Sequence, residues 1–328
     1  MSFERGFRGY ATGVLGALTL LLMASSPSHA STAVSACGTL SMPGNYFLTK
    51  NLTATGTCIT VASEGVSLDM KGHTITGNGT GDGVSDGNVL FESMAIANGK
   101  IRNFSDGIGL HKSCCVVIRN VDSSNNTGIG VLVGGCCSTL DSVTTNGNSG
   151  DGIDALECCY TLNNIQSKNN HGGGVISKTN ACCTTLSNST VSGNGGVGVD
   201  MEDCCNFLVS STVQRNKADG VDMDGGGRST ANNFVVNSTV ALNIGTGVHL
   251  IGNDNLVTNS VASGNGSDGI FLSTTGSQIA SSQSNGNQGV GANVGCPGAI
   301  TGLSTKNNNG GPLTTTGGTC TQLNNKLN

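Results

Sequence analysis

Charged and aromatic side chains are scarce in this chain of 328 residues. Asp, Glu, Lys and Arg make up 11%, Phe and Tyr 3%, and tryptophan is absent. With no basic run and no interleaving of basic and aromatic residues, the chain lacks the footprint of a nucleic-acid-binding surface. The net charge of −5 also argues against direct electrostatic capture of polyanions, unless a cation mediates. Beyond the first two dozen residues there is no long apolar run, so no later segment is expected to span a bilayer. Helical apolar spacing is rare as well, which leaves strands and turns to carry the fold.

Cysteine and glycine are plentiful: 14 and 52 residues. Ten of the cysteines form five adjacent pairs, Cys114-Cys115, Cys136-Cys137, Cys158-Cys159, Cys182-Cys183 and Cys204-Cys205, spaced 22, 22, 24 and 22 residues apart. A rare residue returning at such a period marks a solenoid. After each pair an aliphatic residue leads to an asparagine eight positions later, as Leu162 leads to Asn170 and Leu186 to Asn194. The pattern outlasts the cysteines, with Val235 leading to Asn243 and Val257 to Asn265. In phase with it, a glycine precedes an apolar residue and then alternation, as in Gly198-Val199-Asp200-Met201-Glu202 and Gly220-Val221-Asp222-Met223-Asp224. Period two indicates a strand with one buried face.

Two or three short strands per repeat, held in one phase, are most simply wound as a coil. The expected fold is all-β, a right-handed parallel β-helix solenoid with about 22 residues per coil and roughly a dozen coils. Equivalent residues then stack about 4.8 Å apart. The asparagines are expected to form a side-chain amide ladder along a turn where Asn tolerates left-handed backbone. The cysteines are expected to form two sulfur columns, one facing in and one out, because adjacent strand residues point to opposite sides.

Four segments are expected. Residues 1–30 read as a signal peptide, with Arg5 and Arg8 before an apolar run and Ser28-His29-Ala30 at the cleavage site. Residues 31–58 form an N-terminal cap, 59–295 the parallel β-helix, and 296–328 a C-terminal coil and cap. Export makes disulfides Cys37–Cys58 and Cys296–Cys320 the expected staples of the two ends. Periplasm and full secretion are both consistent with this reading.

The stretch Cys58-Ile59-Thr60-Val61, followed by Gly65-Val66-Ser67-Leu68-Asp69-Met70-Lys71-Gly72-His73-Thr74-Ile75-Thr76-Gly77, resembles the opening coils of bacterial right-handed β-helix repeat proteins of the pectate-lyase-like superfold. That superfold hosts lyases, hydrolases, epimerases and adhesins, so the resemblance implies the fold and leaves the activity open. The chain departs from several of its catalytic patterns. It has no polygalacturonase-like Asn-Thr-Asp or Gly-His-Gly segment and no Asp-Pro-His-Asp segment of the alginate epimerase kind.

The alternating strands supply the best candidate chemistry. Asp200 and Glu202 point outward on one coil, and Asp222 and Asp224 fill the same columns on the next. Lys178 precedes this carboxylate grid, His249 follows it, Asp154 stands two coils before Asp200, and Phe271 is the outward aromatic in line. Crowded carboxylates raise one another's pKa or bind a cation such as Ca²⁺, for which Glu202 and Asp224 are the candidate ligands. No cofactor is required. The leading expectation is an exported structural or carbohydrate-binding protein engaging extracellular polysaccharide, with Asp154, Lys178 and Phe271 as substrate contacts. An alternative is a polysaccharide lyase or glycoside hydrolase using Asp200, Asp222 and His249. A second alternative is binding of Cu(I) or Zn(II) by the cysteine columns. The oligomeric state is left open.

Overall fold

The computed structural model describes residues 31–157, 159–177, 183–202, 204–224 and 231–328. The expected signal peptide, Cys158, Lys178 and Cys182 lie outside these. Among the described residues there are strands and turns but no helix. The strands stack in parallel register as a solenoid.

A regular coil has three strands. In one, Thr185–Ser187 and Thr190–Ser192 belong to a 24-stranded sheet, and Val199–Met201 belongs to a 13-stranded sheet. The first two are separated by a bend at Asn188, whose φ is 52°. Three-residue strands this short hold because each pairs with a copy of itself on both sides. Leu186, Val191 and Val199 point inward and are fully buried. Burying a side chain of this size stabilises by roughly 1.5–3 kcal/mol, and the same positions stay apolar in neighbouring coils (Leu208, Val213 and Val221).

The asparagines form an internal ladder. From Asn126 to Asn308, each Nδ2 donates to the Oδ1 of the asparagine one coil on, at 2.9–3.1 Å. Each backbone N–H donates to that same oxygen, as Asn170 does to Asn194 at 3.0 Å. One correction is needed. The left-handed residue is the one before the ladder asparagine, such as Asn125, Asn169 or Gly193. That kink turns the asparagine inward, where its amide satisfies backbone groups that water cannot reach. Phe104 takes the ladder position in the coil before Asn126, and its N–H donates to Asn126 Oδ1 at 3.1 Å.

The ladder explains the in-phase glycines. A Cβ on Gly198 would lie 2.5 Å from Asn216 Nδ2 and 2.5 Å from the Gly220 carbonyl oxygen. The amide ladder and the glycine column therefore require each other.

The strand assignment of the cysteine pairs is overturned. Cys115, Cys137, Cys159, Cys183 and Cys205 have φ between 53° and 67°, so the second cysteine of each pair stands at a left-handed turn rather than in a strand. The described cysteines of the pairs are exposed or half-buried, so no column faces the core.

Both end disulfides are formed: Cys37–Cys58 closes 21 residues and Cys296–Cys320 closes 24. Coil strands continue into both ends. Gly38–Leu40 pairs with Ile59–Val61, and Leu313–Thr316 pairs with Ala292–Gly295.

Candidate functional site on the outer sheet face

The 13-stranded sheet presents one outward column whose members follow from its register. It runs Thr39, Thr60, Ser85, Gly109, Leu132, Asp154, Ile176, Asp200, Asp222, His249, Phe271, Asn293 and Thr314. Leu132, Asp154 and Ile176 are buried at 4–6% exposure. From Asp200 to Phe271 the column is half-exposed. The accessible strip therefore begins at Asp200, and Asp154, although in the column, is withdrawn from solvent.

Asp200 and Asp222 are register partners, as the period implies. His249 then stacks on Asp222, with its Nδ1 3.0 Å from Asp222 Oδ1. Phe271 follows, its ring centroid 4.9 Å from that of the imidazole and tilted by 51°. Asp224 is half-exposed in the same strand as Asp222, and Glu202 lies just past the end of Val199–Met201.

A residue the sequence reading passed over completes the group. Asp219 Oδ2 lies 3.8 Å from His249 Nδ1, while its Oδ1 accepts the Thr246 N–H at 2.6 Å. The latter contact is a repeat device. Asp106, Asp151 and Asp268 each accept an N–H from the next coil at 2.6–2.8 Å. The Asp-Gly dipeptide before the strand was the available signal. It reads as turn chemistry, and only a histidine on the next coil gives this copy a second neighbour.

The electrostatics follow from that packing. The hydrogen bond to Asp222 raises the His249 pKa above its ordinary value, burial opposes this, and the charges of Asp222, Asp219 and Asp224 add to the rise. Burial pushes the Asp219 carboxyl up, against the pull of the Thr246 N–H. One ligand atom each from Asp219, Asp222 and His249 lies within 4.8 Å of the others, close enough to share a cation. Glu202 and Asp224 do not join a set that tight among the described residues. The group thus offers carboxylate acceptors, an imidazole and an aromatic ring on three successive rungs.

Residues 173–327 match the family model described as "Right handed beta helix region". No curated protein matches the chain. Solved structures similar to it include the A-module of the Azotobacter vinelandii mannuronan C-5 epimerase AlgE6, at TM-score 0.53 and 13% identity, covering 91% of this chain and 88% of that one. The A-module of AlgE4 from the same organism gives TM-score 0.51 and 15% identity, covering 91% and 84%. The Dettilon tailspike protein gives 0.53 and 15%, covering 83% of this chain and 62% of its own. At these identities the likeness is one of fold. The chain is a right-handed parallel β-helix protein, as its resemblance to the pectate-lyase-like superfold implied.

Proposed function

We propose that this β-helix binds polysaccharide outside the cytoplasm, along the strip from Asp200 to Phe271. The observation that carries this reading is the run of Asp222, His249 and Phe271 on consecutive rungs, with Asp219 beside them. Carboxylates accept hydrogen bonds from sugar hydroxyls, an aromatic ring offers an apolar platform for a sugar face, and a protonated imidazole donates or neutralises acid. Rungs about 4.8 Å apart repeat these contacts along a chain-like ligand. The cap disulfides support an oxidising location. Two of the similar solved structures are named for mannuronan epimerisation, which adds support for a glycan partner.

The test is calorimetric titration of the protein with neutral and uronate oligosaccharides. Binding to one class, weakened tenfold or more by Phe271→Ala and by Asp222→Asn, is the expected result. Binding that neither substitution alters, or no binding to either class, would refute the assignment.

The 3.0 Å contact between Asp222 and His249 favours a second reading, catalysis. A carboxylate that orients an imidazole is a common acid–base pair. Its raised pKa keeps His249 protonated further up the pH scale, which suits a general acid better than a base. Appearance of unsaturated or reducing ends from a uronate polymer, lost in the Asp200→Asn/Asp222→Asn variant, would establish it.

A further inference from the structure

The left-handed corner that holds the cysteine pairs occurs in other coils too, where ordinary residues fill it. Strand register equates Cys115 with Ser93, and Cys205 with Asn232, Asp254 and Gly276. Those four have φ of 58°, 51°, 61° and 79°. Gly, Asn and Asp are the residues that tolerate this region. Cysteine has no such advantage, and a left-handed L-residue costs roughly 1–2 kcal/mol. Five successive coils nevertheless place cysteine there, so backbone conformation does not account for the choice.

The sulfurs themselves point to a use. Cys114 and Cys136, one coil apart, bring their Sγ atoms to 3.9 Å. That is far beyond the disulfide bond length of about 2.0 Å. It matches the edge of a sulfur tetrahedron around a thiophilic cation, about 3.8 Å when each sulfur lies about 2.3 Å from the metal. The Cys205 thiol in turn meets sulfurs of its own coil and of the preceding one, those of Cys204 and Cys183. Cys115 and Cys137 stand beside Cys114 and Cys136 in the same two coils, exposed to solvent, so four thiols share this corner. Rotation of exposed side chains would have to bring a third sulfur to the 3.9 Å pair, since no three of the described sulfurs lie within 4.8 Å of one another. All-sulfur donor sets select d¹⁰ ions such as Cu(I) and Zn(II).

We propose that the corner built by the cysteine pairs is a thiophilic-metal site, in which sulfurs of adjacent coils, Cys114 and Cys136 first among them, jointly ligate Cu(I) or Zn(II). Each ligating thiol releases its proton to water as the metal–sulfur bond forms, and no change of oxidation state is involved.

The experiment uses the whole protein, reduced and freed of reductant under anaerobic conditions. Cu(I) is supplied as its acetonitrile complex and Zn(II) as chloride, each titrated against a chromophoric chelator. The expected result is competitive binding of at least one of the two ions, with a tenfold or greater loss of affinity in Cys114→Ser/Cys136→Ser. The Cys115→Asn/Cys137→Asn variant, which keeps residues suited to the left-handed corner, is expected to retain the circular dichroism of the parent and also bind more weakly. The two titrations show which ion is preferred. Failure of both ions to bind while alkylation counts the thiols as reduced would overturn the proposal. Undiminished binding by both variants would overturn it equally. So would protein that, before reduction, yields no alkylatable thiol, because the sulfurs would then be bonded to one another as covalent staples.

Discussion

The asparagine column from Asn126 to Asn308 and the outward column of the 13-stranded sheet rise through the same coils, yet they vary in opposite ways. The first repeats one residue at every step. The second passes from aspartate to histidine to phenylalanine within three rungs. The difference lies in who satisfies the polar groups. Inside the wall, each amide is the acceptor for two donors of the preceding coil, and water cannot take its place. Outside, water satisfies whatever is placed there, so the fold leaves the residue free to be chosen for a ligand. Uniform columns inside the wall therefore report architecture, and breaks in an outer column report what the protein meets.

That contrast is sharpest in the middle of the ladder. Asn194→Ala strands the backbone N–H and the Nδ2 of Asn170, both of which donate to Asn194 Oδ1 at 3.0 Å in a buried setting. A loss of about 3 kcal/mol is expected from urea unfolding. Asn308→Ala, at the part-buried end of the ladder, should cost about half as much. Equal losses at the two sites would mean that the ladder does not act through burial.

Next in size is Gly198→Ala, whose new methyl would press on the Asn216 amide and the Gly220 carbonyl. Overpacking of this kind costs roughly 1–3 kcal/mol. If Gly198→Ala were neutral, the glycine column would owe its identity to something other than the ladder.

The repeat made these inner columns readable in advance. Period, strand phase and the asparagine ladder all follow from residues that return at about 22, because identical neighbours impose identical geometry, whereas the end disulfides follow from export and from the cysteines of the two ends. Asp200 over Asp222 and Asp222 beneath His249 were legible for the same reason. What the period could not reveal was conformation within a coil. Cys114-Cys115 reads as two strand steps until φ of 53° at Cys115 shows a corner. Asp219 reads as one more turn aspartate, because its special neighbour comes from a single non-repeating histidine. Asp154 sits in the expected column but is buried, and no alternation pattern predicts which part of an outer face is covered.

The outer column makes a smaller contribution to stability, one that depends on pH. His249 has a folded pKa above its ordinary 6.5, mainly through the hydrogen bond to Asp222. Stabilisation by the charged pair is therefore complete below about 6.5 and is lost as pH rises through the folded value. With both side chains partly exposed, the contribution is about 1 kcal/mol. Unfolding of the parent protein at pH 5.5 and pH 9 should differ by that amount more than unfolding of His249→Gln. An identical pH dependence in the two proteins would show that the pair is not formed.

The smallest expected effect concerns the cysteine corner, where the chain passes from the 13-stranded sheet to the 24-stranded one. Cys115 is exposed and left-handed, and Asn232 holds the same corner in a later coil at φ of 51°. Asn reaches this region far more readily than most residues. Cys115→Asn should therefore leave the metal-free, reduced protein unchanged or raise its stability by up to about 0.5 kcal/mol. A stabilising substitution at a position occupied by cysteine in five successive coils would mean that the sulfur is kept for what it binds, as outer-column residues are. A loss above about 1 kcal/mol would instead make Cys115 part of the architecture, and the corner would then belong with the asparagine ladder.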